Sequence, residues 1–227
     1  MMIRNWSEFP ERPVLPAGDC QLWLAWLDEE LPVSFRGFMS ADERIRIGRL
    51  KSSRRSDQFT VARGILRILL GRYLSSRPER LVFSYGPHGK PELAGGLEAG
   101  LSFNVSHSGG LAVFAIANGF EVGVDIEEIH PVNDLEASAS IFLSPEELAE
   151  FEALPIDGKL ERFFTVWTCK EAILKAFGSG FTGPVKDILA TFCQPGPESD
   201  CQNAIYQNQR ITLLNPAEGY KGALVCL

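Results

Sequence analysis

Residues 21–27 (QLWLAWL) are apolar at nearly every position. An extended segment apolar on both faces needs cover on both, so the pattern predicts a buried strand. Ser40-Ala-Asp-Glu43 spells a capping box and predicts a helix from about residue 41. From Gln58 to Leu74 the spacing turns helical, with Phe59, Ile65, Leu66, Leu69 and Leu70 as the apolar stripe of a long helix. Leu81–Tyr85 reads as a short strand, and Gly86–Pro91 as turn chemistry. Leu101–Val105 and Leu111–Ala117 read as a hairpin around a tight Ser106-His-Ser turn. Asn118-Gly119 then signals another turn before a strand over 121–127. Ser144-Pro145-Glu-Glu147 joins an N-cap, a first-turn proline and a second capping box, predicting a helix over 145–153. A further helix is predicted over 161–177, and closing strands over 204–214 and 219–227. Pro195 and Pro197 sit in a loop. The pattern describes two α/β halves meeting near residue 118, so that 1–118 and 119–227 are the expected subdomains.

Composition narrows the class. The 227 residues are 45% hydrophobic and 22% charged, which is globular. No run of 18 apolar residues exists, and the opening MMIRNWSEFPERP has no apolar signal core, so a cytoplasmic protein is expected. Five cysteines without a CxxC point to reduced, buried thiols rather than zinc. A net charge of −7 argues against a general nucleic-acid binder. Yet residues 44–67 hold Arg44, Arg46, Arg49, Lys51, Arg54, Arg55, Arg63 and Arg67 against one acid, Asp57. Such a local excess suits either a solvated helix face or an anionic ligand.

Three constellations could carry chemistry. On the strand over 121–127, alternation puts Gly123, Asp125 and Glu127 on one face. The two carboxylates, ~6.6 Å apart at ~3.3 Å per residue, can share a divalent cation, Mg²⁺ or Mn²⁺, with Gly123 keeping that face clear. Glu128 points away. A solvated strand end is the plainer reading of a lone DxE. On the helix, Trp167, Glu171 and Lys175 are four apart and share a stripe. Glu171 is then a third ligand or a base and Lys175 a cation for a phosphate; the plainer reading is an ordinary Glu–Lys pair over a core tryptophan. His107, in Ser106-His-Ser108, is a donor for a phosphate oxygen. A Ser–His nucleophile pair is disfavoured, because neighbours on an extended chain point apart and no GxSxG elbow is present. His88 and His130 adjoin turn prolines and read as surface.

Gly89-Lys90-Pro91, Phe103-Asn-Val-Ser-His-Ser108, Gly123-Val-Asp125-Ile-Glu127 and Trp167-Thr-Cys-Lys170-Glu171-Ala-Ile-Leu-Lys175-Ala-Phe-Gly178 occur in this order. Together they resemble the 4′-phosphopantetheinyl transferases of the surfactin-synthetase-activating type, in the W-x-x-K-E-A subgroup. The resemblance implies an α+β fold, a monomeric pseudodimer of two similar subdomains with the active site in the cleft between them. It implies transfer of the phosphopantetheine arm of coenzyme A to a serine of an apo acyl, peptidyl or polyketide carrier protein, releasing adenosine 3′,5′-bisphosphate. By the same resemblance Asp125, Glu127 and Glu171 bind Mg²⁺, and Glu171 is also the base for the carrier serine. Lys175 steadies the leaving phosphate, Ser106 and His107 hold the pyrophosphate, and Lys90 and Pro91 meet the adenine end. Arg46 matches a cation for the 3′-phosphate. The companion position is Glu43, a departure explained by its capping box with Ser40. Arg44, Arg54 and Arg63 remain open as the substitute, and other arginines of the run face an acidic carrier. Trp167 is implied to be packing, and Cys169 buried structure. A DxE-type 3′–5′ exonuclease is the rival enzyme, but it needs further aspartates and DNA-compatible charge. An inactive homologue that only binds coenzyme A or a carrier is the non-enzymatic alternative.

Overall fold

The computed structural model describes residues 2–28, 35–86, 89–94, 100–178, 185–192, 203–207 and 209–227. His88, Cys193, Pro195, Pro197, Cys201 and most of the loop expected after residue 191 lie outside them. The elements in chain order are β1 (Ile3–Asn5), β2 (Cys20–Trp26), α1 (Phe35–Phe38), α2 (Ala41–Arg49), α3 (Ser53–Tyr73), β3 (Phe83–Tyr85), β4 (Pro91–Leu93), β5 (Leu101–Ser108), β6 (Leu111–Asn118) and β7 (Val122–Glu128). They continue with α4 (Leu135–Phe142), α5 (Pro145–Glu152), α6 (Ile156–Phe177), β8 (Thr191–Phe192), β9 (Asn203–Tyr206), β10 (Gln209–Leu214) and β11 (Tyr220–Cys226). The class is α+β, as expected.

The chain divides into two compact units, residues 1–103 with 110–120 and residues 104–109 with 121–227. The first carries strands ordered β1-β2-β6, the first residues of β5, and the small β3–β4 hairpin. Its core gathers Leu22, Trp23, Ile65, Leu69, Leu70, Phe114 and Ile116, all at most 1% exposed. Helix α3 starts five residues before the expected Gln58, because Ser52 caps it through the Arg55 amide. That first turn, Ser-Arg-Arg-Ser-Asp, has no apolar residue to betray its periodicity.

The second unit is a sheet ordered β7-β11-β10-β9-β8, with α6 packed on it. Cys169, Ala172, Ile173 and Ala176 of α6 meet Ala223 and Val225 of β11 in one buried cluster. The strand expected over 204–214 is two strands: Gln207 takes φ 45°, and Tyr206 pairs antiparallel with Gln209. Helix α6 begins at Ile156, earlier than expected, because Gly158 interrupts the apolar pattern of its first turn. Helix α4 was not anticipated, since its LEASASIF sequence is rich in small residues. Asp134 caps it by accepting the Ala137 amide at 3.0 Å.

Two expectations about 103–110 are corrected. Ser106-His-Ser108 is not a turn but the end of β5; the turn follows at Gly109-Gly110, where Gly109 takes φ 58°. These residues also group with the second unit rather than with 1–118. The cause is side-chain bonding to β7, described next.

Candidate active site

Strand β7 lies at the edge of its sheet, so the amides on its open side have no ladder partner. Alternate side chains of β5 supply one. Asn104 Oδ1 accepts the Val124 amide at 3.1 Å, Ser106 Oγ the Ile126 amide at 3.3 Å, and Ser108 Oγ the Glu128 amide at 3.1 Å. The same hydroxyls donate to the acids: Ser106 to Asp125 Oδ1 at 2.8 Å and Ser108 to Glu127 Oε2 at 2.5 Å.

On β7, Val122, Val124 and Ile126 are fully buried, and Glu128, on the same face at the strand's end, is exposed. Gly123 acts differently from expectation. A Cβ there would lie 2.2 Å from the Ala172 carbonyl oxygen and 2.3 Å from the Ala176 nitrogen. The glycine therefore admits the backbone of α6 rather than keeping room for an ion. This contact brings the residues before Ala172 and Ala176, Glu171 and Lys175, to the carboxylates. Lys175 Nζ stands 2.6 Å from Asp125 Oδ1 and 3.0 Å from Ser106 Oγ.

Val105, Ser106, His107, Asp125, Glu127, Trp167, Glu171 and Lys175 line one cavity of about 320 Å³. His107 is exposed at its wall. Trp167 both lines it and packs, stacked on Phe142 with centroids 4.2 Å apart. Burial pushes the Glu127 carboxyl above its usual range; Asp125 adds to this, while Ser108 and Lys175 oppose it. Glu171 is raised likewise, by burial first and then by Asp125 and Glu127, against Lys175. Asp125 Oδ2 is buried with no hydrogen-bond partner among the described residues. Among the described residues, no three His, Cys, Asp or Glu side chains converge tightly enough to be a ready metal-ligand cluster; Lys175 and Ser106 hold Asp125, and Ser108 holds Glu127. Lys170 is turned away. It is fully buried, 2.6 Å from Glu147 and 3.0 Å from the Phe142 carbonyl. Cys169 is buried as expected, its thiol pushed well up by burial.

In the first unit, Arg46 and Arg63 share the Phe59 ring, at 5.0 and 5.6 Å from its centroid. Arg63 also lies over Phe83 and Tyr85, and its Nε meets Glu43 at 3.3 Å. It is 7% exposed, and its buried Nη1 has no hydrogen-bond partner among the described residues. Burial lowers its pKa, and Arg67 and Arg46 lower it further. Lys90 and Pro91 close the β3–β4 hairpin, where Pro91 pairs with Tyr85. Arg54 goes elsewhere, gripping Asp28 through Nε and Nη2 at 3.1 and 2.7 Å. Arg44 Nε donates to the Met39 carbonyl at 3.0 Å. Glu43 accepts the Ser40 amide at 2.8 Å, as a capping box requires, and also anchors buried Arg67 at 2.8 Å.

Residues 121–217 match the model of the 4′-phosphopantetheinyl transferase superfamily. The 4′-phosphopantetheinyl transferase HetI of Nostoc sp. PCC 7120 is 38% identical over 183 residues, covering 79% of this chain and 77% of that protein. The chain belongs to the 4′-phosphopantetheinyl transferase family. The transferase AcpT of Salmonella typhimurium is also 38% identical, over 136 residues covering 60% of this chain and 68% of its own. The crystal structure of Thermotoga maritima holo-[acyl-carrier-protein] synthase is similar over 47% of this chain and 62% of its own, at 23% identity and a TM-score of 0.37. For this transferase, sequence reasoning singled out Ser106 but passed over Ser108. Reading Ser-His-Ser as a turn hid the alternation of Asn104, Ser106 and Ser108 along one strand face, which was the available signal.

Proposed function

We propose that this chain transfers the 4′-phosphopantetheine group of coenzyme A to a serine of an apo carrier protein, releasing adenosine 3′,5′-bisphosphate. The observation that carries this reading is the convergence of Ser106, His107, Asp125, Glu127, Glu171 and Lys175 on one cavity. Cations and acids crowded together suit a phosphoanhydride, which needs both charge neutralisation and a base.

Asp125, Glu127 and Glu171 are assigned a divalent cation, Mg²⁺ or Mn²⁺. The residues fit one. Three hard oxygen donors line the cavity, burial raises two of them, and Asp125 Oδ2 is left without a partner. When bound, such an ion supplies neutralisation of the pyrophosphate charge. Glu171, its carboxyl held above its usual range by burial, takes the proton of the carrier serine directly or through water. The serine oxygen bonds to the phosphorus bearing pantetheine, and the phosphoanhydride P–O bond breaks. Lys175, within reach of Asp125 and Ser106, turns its ammonium to the leaving phosphate. His107, with Ser106, donates to pyrophosphate oxygens.

Arg46 and Arg63 are assigned the 3′-phosphate of coenzyme A, with Lys90 and Pro91 toward adenine. The buried, unpartnered Nη1 of Arg63 favours it over Arg54, which Asp28 already holds. Arg46→Ala should raise KM for coenzyme A far more than KM for dephospho-coenzyme A. Equal effects on both would remove Arg46 from that role. Asp125→Ala and Glu171→Gln should each abolish carrier modification while preserving the circular dichroism spectrum. Retained turnover by either would overturn its assignment.

A further inference from the structure

We propose that Ser108 is a positioning residue that fixes the Glu127 carboxylate in the orientation needed for the divalent cation; the inference rests on the cation assignment above. Strand β5 meets β7 through a repeat. Each residue at 104, 106 and 108 accepts the amide twenty positions on, at Val124, Ile126 and Glu128. Ser106 and Ser108 also donate to the side chain nineteen positions on, Asp125 and Glu127. At the first rung that partner is Gly123, which has no side chain to hold, and the β5 residue is Asn104 rather than serine. Hydroxyls therefore stand at the two rungs where a carboxylate needs a donor.

The amide bond sets the direction of that donor. With its oxygen occupied by the Glu128 N–H, the Ser108 hydroxyl is oriented to spend its only proton on Glu127 Oε2. A hydrogen bond to a carboxylate is about twice as strong as a neutral one and shortens accordingly, as the 2.5 Å separation shows. Glu127 has three side-chain torsions and is only half-buried, so packing alone does not fix it. Asp125 is shorter, 3% exposed, and held by both Lys175 and Ser106. Ser108 is the one donor described for Glu127.

The test titrates Mn²⁺ into the full chain with coenzyme A and no carrier, followed by electron paramagnetic resonance, so that no turnover enters the readout. Ser108→Ala should weaken Mn²⁺ binding about tenfold, the usual scale for a residue supporting a metal ligand. In turnover it should raise the metal concentration for half-maximal rate by a similar factor. The kcat at saturating metal and the KM for coenzyme A should stay unchanged. Ser108→Thr, which keeps the hydroxyl, should bind Mn²⁺ as the parent does. A purely structural serine would lower the melting temperature without this split, and parent-like Mn²⁺ affinity in folded Ser108→Ala would overturn the proposal. Should the alanine variant fail to fold, Ser108→Cys replaces it with the same two outcomes. Glu127→Gln separates the two readings. If it leaves Mn²⁺ affinity intact, the cation assignment itself fails whatever Ser108 does.

Discussion

Gly123 and Gly158 are both glycines beside or within α6, yet a methyl group at each has opposite consequences. At Gly158 an added Cβ meets nothing within 4 Å. Gly158→Ala should therefore stabilise the protein by about 0.5–1 kcal/mol, the helix-propensity difference, in denaturant unfolding. At Gly123 the added Cβ strikes the α6 backbone, which cannot step aside as a flexible side chain would. Gly123→Ala should cost roughly 1–3 kcal/mol and reduce kcat even where the protein is fully folded, because Glu171 and Lys175 move with the helix. The alternation of the strand was legible in VGVDIEE. The purpose of Gly123 was not, since the atoms it makes room for come from residues about fifty positions away. Tyr73 gives a prediction independent of the site. Burial raises its phenol from 10.0 to about 12; its hydroxyl accepts from Trp23 and donates to Gln21. The folded state thus holds the proton where the unfolded chain releases it. Tyr73 stabilises fully below pH 10, and that contribution is lost as pH rises toward 12. Tyr73→Phe should flatten this alkaline limb of the stability curve; an unchanged limb would contradict the assignment.

Lys170 and Glu147 join three elements. Lys170 on α6 reaches both Glu147 of α5 and the Phe142 carbonyl at the end of α4, while Glu147 accepts the Ser144 and Ala190 amides. The lysine is fully buried and the glutamate 2% exposed. Breaking such a pair strands a charge, so Lys170→Met should cost about 3–5 kcal/mol in urea unfolding. In the Lys170→Met background, Glu147→Gln should recover part of that loss. A cost below about 1 kcal/mol would show that the pair is not holding these helices together. Elements whose signals are local were legible. The capping boxes at Ser40 and Ser144 placed α2 and α5, because each involves four consecutive residues. Helix α4 was missed because its stripe is only Leu135, Ala139 and Phe142, set among small residues. The end of β5 was missed because serine and histidine beside two glycines read as a turn. Its alternate serines bond the open edge of β7, a tertiary feature invisible in the local pattern.

At the scale of the molecule, a net charge of −7 coexists with an arginine-rich α2–α3 segment, and the structure sorts that segment by burial. Arg67 is locked inside by Glu43 and the Pro78 and Leu81 carbonyls. Arg63 is nearly buried with an unpartnered nitrogen, and Arg44, Arg46, Arg49 and Arg55 are exposed. Composition counted these charges but could not rank them, because ranking depends on which face of α3 meets the core. The carboxylate set was legible as motifs, whereas its second support, the Ser108–Glu127 bond, depends on the serines of β5 reaching β7. The central claim is group transfer from coenzyme A to a carrier serine at the Asp125–Glu127–Glu171–Lys175 cavity. Its most direct test is the intact mass of an apo-carrier incubated with this protein, coenzyme A and Mg²⁺. The account predicts a gain of one phosphopantetheinyl group, lost with chelator and lost with Glu171→Gln. An unchanged carrier mass across apo acyl, peptidyl and polyketide carriers, or an undiminished gain with Glu171→Gln, would contradict it.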